Sequence, residues 1–99
     1  MDRAEILKIA EQCVCGNREQ DYGSPEDSFG TISLFWTAYL GYAVTRTDVA
    51  AMMALLKIAR ISSGHAKADN WIDLAGYAAC GGEIEYEDGT RRVVEDDEG

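Results

Sequence analysis

Basic runs, proline, histidine and long apolar stretches are all scarce in this chain, and each scarcity closes a class of explanation. Nine Lys and Arg stand against 18 Asp and Glu, a formal net charge of -9, and nowhere do the cations cluster. Proteins that bind duplex DNA gather such residues to neutralise phosphates, so duplex nucleic acid is excluded as a partner. No stretch approaches the roughly 18 apolar residues of a membrane span. The opening "MDRAEILKIAEQ" mixes charges into its first turns where a secretory signal would be apolar. A cytoplasmic protein with no membrane partner is expected. Cys13, Cys15 and Cys80 are odd in number, and the first two are too close to bridge easily in a helix. They make neither a disulfide framework nor a complete zinc ligand set, which fits reduced thiols. His65 is the single histidine and sits in a Gly/Ser-containing loop, so a His-based triad has no support. The glycines form neither a Walker pattern nor a dinucleotide fingerprint.

What remains is a chain of 99 residues, 46% of them hydrophobic, enough for one folded domain. At this size folding hides only about 60 to 70% of the unfolded surface, so the core is thin and a homo-oligomer is expected. Residues 83 to 99 hold eight acids against Arg91 and Arg92, a net of -6 that leaves -3 for residues 1 to 82. The acidity is mostly a property of the end of the chain.

Helical periodicity dominates to residue 82. Ile6, Ile9, Ala10 and Cys13 recur at steps of three and four, with Asp2 placed to cap the start and Gly16 and Asn17 to stop the helix. After a polar link, "SPED" signals a second start. Ser24 can accept from exposed amides, Pro25 suits the first helical position, and Glu26 and Asp27 favour the positive end of the dipole. Phe29, Ile32, Trp36 and Leu40 then form one stripe running to about Gly41, with Gly30 a weak point. Thr45 and Asp48 are spaced as a capping box for a third helix. Its Val49, Met52, Met53, Leu56 and Ala59 make an apolar face wide enough to be buried on more than one side. A fourth helix is expected over roughly residues 67 to 81, carrying Ile72, Leu74, Ala75 and Ala79 and ended by Gly81 and Gly82.

Beyond Gly82 the period shifts towards 2. "EIEYEDGTRRVV" alternates about a DG dipeptide, and a turn at Asp88 and Gly89 would set Glu85 against Arg92 and Ile84 against Val93. The expected architecture is all-α: a compact four-helix domain over residues 1 to 82, its third and fourth helices antiparallel, followed by a short C-terminal β-hairpin over 83 to 94 and an acidic disordered tail over 95 to 99.

Asp69 and Asp73 lie one turn apart on the fourth helix, where their oxygens can meet at one point. A hard cation such as Mg²⁺ favours such a pair when phosphates supply its other ligands. Lys57 and Arg60 close the third helix, so an antiparallel pair of helices brings two cations to two acids, suited either to ion pairs or to a phosphate. Each residue also has a plainer role. Asp69 can cap its helix, Asp48 can serve as the third residue of a cap, and Asn70 can bond locally instead of reading a base or sugar hydroxyl. Tyr22, Trp36 and Tyr77 can stack on a base or fill the core.

The segments "DYGSPEDSFGTISLFWTAYL", "DVAAMMALLKIAR" and "DNWIDLAGYAA" resemble a family of small bacteriophage and prophage proteins of unassigned function, over about residues 18 to 80. That resemblance implies the cytoplasm of an infected or lysogenic host cell. More distantly the pattern is similar to the MazG-like all-α nucleoside triphosphate pyrophosphohydrolases, in which a Glu-x-x-Glu and a Glu-x-x-Asp on successive helices hold Mg²⁺ over the triphosphate. On that resemblance the second motif falls near Asp69 and Asp73, with spacing four instead of three, and the first near Asp48 to Met52, where only Asp48 is acidic. Two of the expected carboxylates are missing. Fewer negative ligands hold a metal more weakly and position water less well.

Three functions therefore stand as expectations. The first is an Mg²⁺-dependent pyrophosphohydrolase with Asp48, Asp69 and Asp73 as metal ligands, Asp69 and Asp73 as catalytic residues, Lys57 and Arg60 on the phosphates, and Tyr22, Trp36 and Asn70 around the base. The second is a phage protein that binds or sequesters a nucleotide or other phosphorylated small molecule without turnover. The third is an oligomeric interaction module whose conspicuous residues are caps and core.

Overall fold

A computed structural model of the chain describes residues 1–16, 25–64 and 67–87, with the side chains of Pro25 and Glu26 left aside. Four helices make up the described fold: α1 (Arg3–Cys15), α2 (Pro25–Leu40), α3 (Arg46–Ser62) and α4 (Ala68–Glu87). There is no strand among the described residues.

The starts and stops follow local chemistry. Asp2 Oδ1 accepts from the amide of Glu5 at 2.9 Å while Glu5 Oε1 accepts from the amide of Asp2 at 3.0 Å, a reciprocal cap on α1. Thr45 and Asp48 repeat the device on α3, both bonds at 3.0 Å. Gly41 and Gly64, at φ +84° and +93°, turn the chain off α2 and α3 in the left-handed region that side chains with a Cβ avoid. The link after Gly41 is held to α2 by Thr37, whose hydroxyl accepts from the amide of Val44 at 2.8 Å and seats that valine in the core.

α3 and α4 form the most extensively packed pair, α1 lies on α4, and α2 lies on α3. The packing of α3 and α4 is antiparallel: Arg60 and Lys57, late in α3, meet Asn70 and Asp73, early in α4, while Ala50 near the start of α3 meets Gly81. Phe29, Val44, Val49, Ala50, Cys80 and Ile84 make the core, with Val14, Ile32, Trp36, Met53 and Tyr77 packed around it. The expected stripe of α2 is seated at Phe29, Ile32 and Trp36, while Leu40 is exposed. The wide apolar face of α3 is only partly covered: Val49 is buried, whereas Met52 and Leu56 are exposed.

The C-terminal hairpin is the main correction. α4 does not stop at Gly81 and Gly82 but runs on to Glu87, so the residues expected as the first strand, 83 to 87, are helical. The rest of the hairpin and the tail lie outside the described residues. Two interior glycines each cost a helix about 1 kcal/mol. Tertiary packing offsets this. Continuing at four-residue steps aligns Ile72, Gly76, Cys80 and Ile84 on one buried face, and Ile84 is fully buried. That burial contributes roughly 1.5 to 3 kcal/mol. A lone two-stranded hairpin is marginal in water and would have taken Ile84 off this face.

Candidate polar site at the end of α3 and α4

Late α3 and early α4 bring four polar side chains into two contacts. Lys57 Nζ lies 3.0 Å from Asp73 Oδ2, with side chains 17% and 28% exposed, so the pair is partly withdrawn from water. One turn on, Arg60 Nε donates to Asn70 Oδ1 across 3.3 Å. Asn70 is the buried polar residue of the described fold, 5% exposed. Its backbone is held at the start of α4, its amide donating to the carbonyl of Lys67, just before the helix, at 3.0 Å.

Arg60 is exposed, and the bond to Asn70 engages only its Nε. That bond anchors one edge of the guanidinium, whose two terminal nitrogens carry its remaining N–H donors. Asp69, also exposed, sits in the first turn of α4, where a carboxylate favours the positive end of the helix dipole. The junction therefore holds two cations and two carboxylates, one of each already joined through Lys57 and Asp73.

The third expected metal ligand is elsewhere. Asp48 belongs to the cap of α3, its Oδ2 accepting from the Thr45 amide. It precedes Lys57 by nine residues, about 13 Å along the helix at 1.5 Å per residue. Asp48 therefore does not meet Asp69 and Asp73 on one ion within a single chain. Among the described residues no three His, Cys, Asp or Glu side chains are grouped to hold a metal. Within one chain the antiparallel packing puts Asp48, at the start of α3, at the opposite end from Asp69 and Asp73, early in α4.

The expected aromatic face is likewise dispersed. Trp36 packs against the core, and Tyr77 stacks at a tilt on Phe29, ring centroids 6.3 Å apart. Tyr22 and His65 lie outside the described residues. Half-exposed Trp71 follows Asn70 directly in the chain, a residue passed over by sequence reasoning although it lies inside "DNWID". Thr37 was missed as well, because its partner Val44 lies across a turn and no helical spacing announces it.

Four packed α-helices among the described residues, with a polar α3–α4 junction, are the class that fold and site define. No helix among the described residues is long and apolar enough to cross a membrane. The chain belongs to the family described as "Domain of unknown function (DUF6378)", whose model matches residues 5–85. It is 39% identical over 75 residues to the Gene 55 protein of Mycobacterium phage D29, covering 76% of this chain and 50% of that protein. To the Gene 55 protein of Mycobacterium phage L5 it is 45% identical over 74 residues, covering 74% of this chain and 47% of that one. The chain thus spans about half the length of these relatives. No solved structure matches it. What is established is membership of a small phage protein family of unknown function.

Proposed function

We propose that this chain is a phage protein that binds a phosphorylated small molecule, with nucleotides as the chemical class to try first, at the junction of α3 and α4. The observation that carries the proposal is Arg60, exposed yet tethered through Nε to a buried asparagine, one helical turn from Lys57. An oriented guanidinium beside an ammonium suits a phosphate, whose oxygens accept from a planar fork and from a point charge together. Lys57 is shared with Asp73, so the ligand must compete with an ion pair, and modest affinity follows. Asn70 orients Arg60, and Asp69 and Asp73 set the local negative charge that favours a ligand arriving with its own counter-cation.

Binding without turnover is the better supported form. Pyrophosphohydrolysis by a MazG-like route asks a resident metal to activate water, and Asp48 lies too far along α3 to complete the carboxylate set.

Thermal unfolding with a panel of nucleotides, each with and without Mg²⁺, tests this. A ligand at a hundred times its dissociation constant adds about 2.7 kcal/mol to stability. Arg60→Ala is expected to remove the shift and Asp48→Ala to keep it. If no nucleotide moves the transition, the proposal fails. Release of pyrophosphate from any triphosphate would replace it with the hydrolytic function.

A further inference from the structure

Between Asp27 and Arg46 the chain runs for 18 residues, Ser28 to Thr45, without a charged side chain, the longest such run in a protein that is 27% charged. It covers most of α2 and the turn that follows. One face of that helix, through Phe29, Ile32, Ser33 and Trp36, is turned to the core. The opposite face is apolar too and open: Leu34 is 73% exposed, Phe35 70%, Tyr39 88% and Tyr42, just past the helix end, 66%. Steps of three and four residues make Leu34, Phe35, Ala38 and Tyr39 one continuous stripe, and Tyr42 follows just beyond the helix end. A helix that is hydrophobic all round belongs in an interior.

We propose that this stripe is the interface through which two copies of the chain associate about a two-fold axis. The area is right. At roughly 200 Å² per aromatic side chain, Phe35, Tyr39 and Tyr42 leave about 450 Å² uncovered, and Leu34 raises this to about 570 Å². That stands at the top of the range for the largest apolar patch of an ordinary monomer, about 300 to 600 Å², and approaches the roughly 800 Å² per partner of a stable complex. Charge selects the occupant. The chain carries a net -9, and two copies meet on this stripe without setting any ionised group against its like. A two-fold pairing sets the same uncharged stripe against itself, so Leu and aromatic rings face their equivalents.

Sedimentation equilibrium over a range of concentrations is the direct test. The expected result is a reversible species of twice the 10.8 kDa chain mass. Phe35→Glu combined with Tyr39→Glu is expected to raise the dimer dissociation constant at least ~100-fold. Both side chains are open in the single chain, so helix content by circular dichroism is expected to stay unchanged; should the double variant lose helix, Tyr39→Glu alone serves. Leu55→Glu, at an equally open position on α3, is the control and is expected to leave the mass intact. A monomer at every concentration, a dimer indifferent to the α2 variants, or one dissolved by Leu55→Glu instead would overturn the proposal. So would binding of the monomer to neutral lipid vesicles through the same residues.

Discussion

Gly81 on α4 faces Ala50 on α3 so closely that a Cβ added to the glycine would stand 2.9 Å from the alanine Cβ. The two backbones meet there because neither residue carries more than a methyl group. The neighbouring Gly82 has nothing within 4 Å of the equivalent position. Opposite outcomes are expected in urea unfolding. Gly81→Ala overpacks the contact, at about 1 to 3 kcal/mol, which outweighs the helix propensity it gains. Gly82→Ala keeps only the gain and stabilises by about 0.5 to 1 kcal/mol. Stabilisation by both would mean that α3 and α4 do not approach at this point.

Ile84 supplies a second test of the extended α4. Fully buried among Val49, Ala50 and Cys80, it should lose about 2 to 5 kcal/mol on replacement by alanine. A change below about 0.5 kcal/mol, as for a surface position, would return residues 83 to 87 to the periphery.

Asp48 separates capping from ligand binding. Thr45→Ala and Asp48→Ala should each lower stability by about 1 kcal/mol, since each removes one half of a reciprocal pair. Neither should alter a nucleotide-induced shift in the unfolding transition. Loss of that shift in Asp48→Ala would reinstate Asp48 as part of the site.

The Lys57–Asp73 contact is measurable by a double-mutant cycle with Lys57→Met and Asp73→Asn. Partial burial places its coupling near the upper end of the surface range, about 0.5 to 1 kcal/mol, falling as ionic strength rises. The same cycle between Lys57 and exposed Asp69 should give a smaller value. Equal couplings would show the ammonium shared between both carboxylates.

How legible these features were depended on how local their causes are. The caps at Asp2 and Thr45 could be read because donor and acceptor lie three residues apart and owe nothing to the rest of the fold. The meeting of Lys57 with Asp73 followed from two helices joined by a short link, which fold back antiparallel, whereas Arg60, expected beside the acidic pair, bonds Asn70 instead. The end of α4 was illegible for the opposite reason. Over five residues "EIEYE" satisfies a period of 2 and also sets Ile84 four residues after Cys80, and the choice was made by Ala50 and Val49, more than thirty residues upstream in the sequence. Asp48 was grouped with Asp69 and Asp73 by resemblance, whereas it lies about 13 Å along α3 from Lys57, the partner of Asp73. On α2 the stripe through Phe29 and Trp36 drew the eye, although Phe35 and Tyr39 marked the other side just as plainly.

The order in which the helices occur along the chain sets a sequence of assembly. α3 and α4 are neighbours closed by one short loop, while α1 docks on α4 only after the chain has passed through α2 and α3, a far larger loop to close. α1 also contributes a single buried residue, Ala10, and seats Val14 against Gly76. The N-terminal helix is therefore expected to dock late, onto a central pair that has already closed.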